Sequence, residues 1–373
     1  MRDNPFFPEI HGNFGFGCMR LPMKGEEVDL PQFTQMVDTF LKAGLNYFDT
    51  ASVYIQGKSE TALREALTSR YPREKFVFTN KLSGSLFEKE EDIRPLVERQ
   101  LESCGLEYFD FYLMHAQGAG NYGKYKTCRA YEIACELKAE GKIRHVGMSF
   151  HDTAQVLDQI LTEQPMIEVV QLQFNYMDYE DEAVQSRKCY EVCVKHGKPV
   201  LVMEPVKGGR LASLHPEAGA ILDALGGGSH ASYAVRFAAG FENVAVVLSG
   251  MSDIPQMEDN LSFMTDFQPL NDAERKAVDQ VAKCLRALPL VPCTKCRYCV
   301  DGCPMSIDIP RIFSVLNTAR MYPGSGFDWQ YASATGGKGK ASDCVKCGQC
   351  EKACPQHLPI RALLEEAAGK FEQ

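Results

Sequence analysis

Asn46-Tyr47-Phe48-Asp49-Thr50-Ala51 is a short apolar run that closes on a carboxylate and a hydroxyl. Similar runs recur at residues 15–18, 47–50, 77–81, 109–114, 145–149, 169–173, 199–204 and 244–249. Each is rich in Val, Ile, Leu, Phe or Tyr and too continuous for a half-exposed strand. Strands buried on both faces of a parallel sheet read this way. Between them lie stretches with helical spacing, such as 92–105 and 131–141, each closing on a glycine suited to a left-handed helix end. Eight strand–helix units in about 250 residues match a (β/α)8 TIM barrel. A doubly wound open sheet is the competitor, but no G-x-G-x-x-G follows the first strand. The expected division is a barrel over residues 1–270 and a smaller domain over 271–373. Ahead of the first strand, residues 6–14 read as a hairpin closing the barrel floor.

The smaller domain repeats one cysteine pattern. Cys293, Cys296, Cys299 and Cys303 precede Pro304, and Cys344, Cys347, Cys350 and Cys354 precede Pro355. Each run is C-x2-C-x2-C-x3-C-P, which resembles the bacterial two-cluster ferredoxins. On their crossed pattern, Cys293, Cys296, Cys299 and Cys354 hold one [4Fe–4S] cluster, and Cys344, Cys347, Cys350 and Cys303 hold the second. Zinc sites pair C-x2-C units across a longer gap and give no reason for the third and fourth cysteines or the proline. Disulfides need an oxidising compartment, and nothing points to export. Cys18, Cys104, Cys128, Cys135, Cys189, Cys193 and Cys284 are scattered through apolar patterns and read as core residues. The 40 residues between Cys303 and Cys344 are too many for a compact β-type ferredoxin. They read as a helix at 310–320 and a loop at 323–340, giving a mainly α-helical ferredoxin-like domain. A helix over 272–287 leads into it and one over 359–371 ends it.

Composition bounds the partners. The chain is 45% hydrophobic and 24% charged, with net charge −9. An acidic chain without a basic stretch excludes nucleic acid and an anionic membrane surface. No apolar run approaches the ~18 residues of a membrane span, and residues 1–17 lack the pattern of a signal peptide. The expectation is a cytoplasmic protein of anaerobic metabolism.

In a barrel, the C-terminal strand ends form the active face. Asp49 ends the second strand and Tyr54 follows it; Lys81 ends the third in Phe78-Thr-Asn-Lys81, and His115 the fourth in Tyr112-Leu-Met-His115. With Gly44-x-Asn46-x-Phe48-Asp49-Thr50-Ala51-x-x-Tyr54, Gly57-x-Ser59-Glu60, and Gly141-Lys142-Ile143-Arg144 leading to Gly147-x-Ser149, residues 10–265 resemble the aldo/keto reductase family. The resemblance implies Tyr54 as general acid, Lys81 as its tuner, Asp49 as anchor and His115 as the group that orients a carbonyl. Chemistry supports the roles. A free tyrosine has a pKa of ~10, and a nearby ammonium lowers it. A developing alkoxide needs a proton donor.

The resemblance also places a nicotinamide against Ser149, Phe150, Gln171 and the end of strand seven, Met203-Glu204. Phe150 stands where the family has an Asn, and Met203 where it stacks an aromatic ring. Lys207, Gly208 and Gly209 form a glycine-bearing loop that lets backbone approach a phosphate. After strand eight come Ser249, Gly250 and Gln256, where NADPH-selective members carry Lys and Arg at the last two positions. Asp259 and Asn260 fit the family's adenine-holding pair. Met19 and Arg20, past the first strand, complete the cofactor candidates. NAD(H) is one expectation. FMN is the other, because a flavin passes electrons singly or in pairs and an apolar Phe150–Met203 wall would suit its ring.

Three readings follow. The first is an aldo/keto reductase-type oxidoreductase, acting on a small carbonyl or alcohol and coupled to its own clusters, with a ferredoxin or other redox protein as candidate partner. The second is an electron-transfer protein whose barrel is a non-catalytic docking scaffold. The third is a plain NAD-dependent reductase with structural clusters.

Overall fold

The computed structural model describes residues 4–322, 324 and 326–372. Among them, eight strands close a parallel barrel: β1 (Phe14–Gly17), β2 (Tyr47–Asp49), β3 (Val77–Leu82), β4 (Phe109–Gln117), β5 (Ile143–Phe150), β6 (Val169–Gln173), β7 (Val200–Met203) and β8 (Val244–Ser249). Each strand pairs with the next, and β8 closes on β1. The strands are buried almost throughout, the reason they read as unbroken apolar runs. Tyr47, Val77, Phe111, Leu113, Val169, Leu201, Val246 and Leu248 fill the interior. Space there is tight enough to demand glycine: a Cβ built on Gly147 would come within 2.6 Å of Leu113 and Val169.

The floor differs from the expected hairpin. Residues 6–14 form turns ahead of β1, and Phe7 enters the barrel as a plug, edge-on to Phe111 at 4.9 Å. Asn46 holds this segment: its Oδ1 accepts from His11 N (2.9 Å) and its Nδ2 donates to Glu9 O (2.9 Å). The motif asparagine is thus a floor anchor. Beside it, His145 bridges Glu9 (2.8 Å) and Glu168 (3.1 Å).

Compact grouping of the chain gives two units. One holds the residues to Gly209 with Gly228–Val278; the other holds Arg210–Gly227 with Asp279–Gln373. The second has its own core, built from Ile307, Ile309, Ile312, Phe313, Leu316, Ile360 and Leu364. Its main helices are Ile309–Met321, Asp328–Thr335 and Ile360–Phe371. The middle one falls where a loop was expected over 323–340, of which Pro323 and Ser325 lie outside the described residues. Buried Tyr331 accounts for it: its ring stacks on Phe371 at 5.1 Å and its hydroxyl accepts from Ala341 N. Among the described residues, no helix is long and apolar enough to cross a membrane.

Candidate active site and cysteine clusters

Lys81, at the end of β3, is wholly buried, and its Nζ donates to Asp49 Oδ1 (2.6 Å) and Thr50 O (2.8 Å). Gln171 on β6 donates to the other carboxylate oxygen of Asp49 (3.0 Å). The Lys81 ammonium lies 4.8 Å from the centre of the Tyr54 ring, which packs edge-on to His115 at 5.9 Å. The four tetrad residues therefore meet at the C-terminal face. Tyr54 is presented by a turn in which Ile55, Gln56 and Gly57 all have positive φ (49°, 56° and 88°). The following motif pins that turn. Ser59 Oγ donates to Cys18 O (2.8 Å) and lies 2.7 Å from Thr50 Oγ1. Glu60 accepts from Ser52 Oγ and Asn80 Nδ2.

A β-bulge sets His115. Met114 pairs with Met148 and Gln117 with Phe150, so His115 and Ala116 together oppose Ser149. Bulges re-aim side chains beside active sites. Ser149 Oγ stabilises this one by accepting from Ala116 N (2.7 Å). After His115 the chain forms the helix Ala119–Thr127, despite its two glycines. Packing of Tyr122 and Tyr125 into the core overrides their poor propensity.

Electrostatics divide the tetrad into one charged pair and two neutral groups. Burial opposes the Lys81 charge, but Asp49 and Tyr54 outweigh it and hold its pKa above the usual lysine value. For Tyr54, burial wins over the pull of Lys81, and its pKa rises rather than falls. This corrects the sequence expectation of a lowered phenol. His115 is pushed down to about 3, by burial first and then by Lys81 and His151, so its ring is uncharged.

The cofactor candidates fall into three groups. Near the tetrad, Gln171 bonds Asp49 and Ser149 holds the bulge, as above. Phe150 is 2% exposed and packs into the core, leaving little of it to meet a cofactor ring. Half-buried Met203 ends β7. In the loop after it, Glu204 and Lys207 adopt positive φ, as do Gly208 and Gly209. Asn175 Nδ2 donates to Glu204 O (3.0 Å), and Lys207 is ion-paired with buried Asp178. Exposed Met19 and Arg20 follow β1. A Cβ built on Gly208 would lie 3.2 Å from the Arg20 guanidinium, and one on Gly250 3.7 Å from Arg20 Cβ, so Arg20 runs between the two glycine loops. Past buried Ser249, Gln256 caps its helix: its Oε1 accepts from Ser252 N and its Nε2 donates to Asp253. Asp259 accepts from Ser229 Oγ (2.7 Å), and the buried Oδ1 of Asn260 has no hydrogen-bond partner among the described residues.

The cysteine repeats share a backbone signature. Lys295 and Lys346, Arg297 and Gly348, and Ser306 and His357 stand at equal places in the two motifs, and all six have positive φ. Cys293, Cys296, Cys299 and Cys354 line one small cavity, with Ile309, Phe313 and Leu358 among its apolar walls. Three of these cysteines come from the first motif and the fourth from the second, the crossed grouping expected from the sequence. Burial first, then the neighbouring Cys293, Cys296 and Cys350, push the Cys299 thiol up to about 11.

This fold, with these side chains at its strand ends, defines a (β/α)8 oxidoreductase that carries iron–sulfur ligands. Residues 13–283 match the aldo/keto reductase family, and the chain belongs to it. Residues 292–359 match the 4Fe-4S dicluster domain. The chain is 29% identical over 195 residues to the NADH-specific methylglyoxal reductase of Escherichia coli (strain K12), covering 47% of this chain and 57% of that protein. It is 28% identical over 207 residues to aldo-keto reductase family 1 member A1 of Mus musculus, covering 49% and 60%. Both matches span less than two thirds of the relative. In fold it is similar to a holo-form aldo-keto reductase from Bacillus halodurans (TM-score 0.59, 24% identity, 72% and 91% covered). An aldo-keto reductase from Klebsiella pneumoniae, crystallised with NADPH, is similar too (TM-score 0.59, 20% identity, 72% and 90% covered).

Proposed function

We propose that the barrel over 1–270 reduces a carbonyl or related small organic substrate, or runs the reverse, with Tyr54 as general acid. We infer further that this chemistry is coupled to electron transfer through two [4Fe–4S] clusters in 271–373. The observation that carries the proposal is the buried Lys81–Asp49 pair (2.6 Å) beneath the Tyr54 ring (4.8 Å). A carbonyl oxygen gains negative charge as it is reduced and must then take a proton. Tyr54, kept protonated by burial, can give it. The Lys81 charge stabilises the phenolate left behind, while Asp49 and Thr50 O hold the ammonium in place. Neutral His115 donates to the same oxygen and orients it.

Cys293, Cys296, Cys299 and Cys354 would hold one cluster, and Cys344, Cys347, Cys350 and Cys303 the other. When bound, each cluster would accept or supply electrons one at a time. Residues on the barrel also fit a dinucleotide. The orphaned acceptor of Asn260 suits an adenine amine, and Gly208 and Gly209 let backbone approach a phosphate. NAD(H) is favoured over FMN because buried Phe150 offers no wall to a flavin ring. It is favoured over NADP(H) because Gly250 carries no charge and the Gln256 amide is engaged in capping.

The name of the Escherichia coli relative makes methylglyoxal and NADH the first pair to try. A ferredoxin or other redox protein remains the candidate electron partner. The test is anaerobic turnover of methylglyoxal with NADH or NADPH, followed by nicotinamide absorbance. Faster oxidation of NADH is expected. No turnover of methylglyoxal or of a panel of small aldehydes and ketones would count against carbonyl reduction.

A further inference from the structure

Ser83, two residues beyond Lys81, lies outside the tetrad. Its Oγ is 2.6 Å from His115 Nδ1, and the residue is 4% exposed. Among the described residues, this is the only hydrogen bond made by the Ser83 hydroxyl or the His115 ring. Both backbones are held in place. The buried Tyr125 hydroxyl lies 2.7 Å from Leu82 O and 3.1 Å from His115 O, clamping the chain beside each partner. The bulge at His115 is fixed separately through Ser149 and Ala116.

An uncharged imidazole carries one N–H and can wear it on either nitrogen. With the proton on Nδ1, the ring donates to Ser83 Oγ and Nε2 is a bare acceptor. The Ser83 proton then has no partner at a site closed to water, which costs free energy. With Ser83 donating to Nδ1, the proton sits on Nε2 and no buried donor is unmet. Only this second arrangement offers a donor to a carbonyl oxygen. We propose that Ser83 is a positioning residue that selects the Nε2–H form of His115 and aims it at the reacting oxygen. The inference rests on the reading of His115 as the group that orients substrate. Burial and the Lys81 charge keep the ring neutral, so the tautomer, not the charge, is what Ser83 controls.

The experiment uses full-length, anaerobic protein labelled with ¹⁵N-histidine. Two-bond ¹⁵N–¹H correlations give the tautomer, and the His115 signals are assigned by their loss in His115→Gln. Wild type should show Nε2–H. Ser83→Ala should show a mixture, with kcat for methylglyoxal lowered roughly 3- to 10-fold, the scale of one neutral hydrogen bond. KM for NADH should not move, and Ser83→Thr should restore both tautomer and kcat. An Nδ1–H ring in wild type, or an unmixed Nε2–H ring in Ser83→Ala, would overturn the proposal. Should Ser83→Ala not fold, the wild-type tautomer and its retention in Ser83→Thr still decide. A tautomer that follows Ser83 in a protein reducing no carbonyl would sink the catalytic reading and leave the positioning role standing.

Discussion

Lys81 Nζ lies 4.8 Å from the centre of the Tyr54 ring while donating to Asp49 at 2.6 Å. One ammonium thus serves two neighbours, and the consequences for each can be separated by substitution.

Tyr54→Phe should fold and bind cofactor nearly as wild type does, because the ring and its packing on His115 remain. Carbonyl reduction should fall by a factor of ~10² to 10⁴, the usual cost of losing a positioned acid. Steady-state rates beside a cofactor-binding titration check this. Full activity in the variant would remove Tyr54 from the mechanism.

Asp49→Asn should destabilise the barrel as well as inactivate it. The substitution leaves Lys81 charged, buried and without its counter-ion, which typically costs about 3–5 kcal/mol. Denaturant unfolding measures the loss. Asp49→Asn combined with Lys81→Met, which removes the stranded charge, should recover much of that stability but none of the activity.

At the barrel floor, stability should depend on pH through His145. Burial opposes its charge, but hydrogen bonds to Glu168 and Glu9 outweigh this and raise its pKa from 6.5 to about 9. A group raised on folding contributes fully below its unfolded pKa, so stability should be lost as pH climbs from about 6.5 through 9. The loss should be about 1–2 kcal/mol after allowing for solvent screening. Thermal melts across that range test it, and His145→Gln should flatten the dependence.

Much of this was legible in the chain because the fold repeats one signal eight times. Runs such as 169–173 and 244–249 read correctly to the residue, since a strand buried on both faces has no polar gap to blur its ends. The tetrad was legible because its members sit at strand ends, where polar residues interrupt apolar runs. What stayed hidden depends on packing across sequence distance. The helix Ala119–Thr127 reads as a loop by its glycines, and only the buried Tyr122 and Tyr125 make it helical. The His115 bulge needs the β4–β5 register. Ser83 looks like an ordinary turn residue until His115, 32 positions later, is brought to 2.6 Å. The raised phenol of Tyr54 reflects how deeply the site is buried, which residue types alone do not reveal.

Cys354→Ser should impair the cluster held by Cys293, Cys296 and Cys299, since Cys354 lines their cavity. Iron and acid-labile sulfide should fall from about eight of each per chain, with the remaining cluster still seen by electron paramagnetic resonance after reduction. Damage confined to the cluster of Cys344, Cys347 and Cys350 would contradict the crossed assignment.

The coupling of barrel and clusters is tested most directly by the visible spectrum of anaerobic protein during a single turnover. Oxidised protein is mixed anaerobically with NADH and methylglyoxal. The account predicts that the cluster absorbance bleaches during turnover while NADH is oxidised, and that Tyr54→Phe slows consumption of the carbonyl. NADH oxidation and carbonyl reduction with no change in cluster absorbance would contradict the coupling and leave a nicotinamide-dependent reductase with structural clusters.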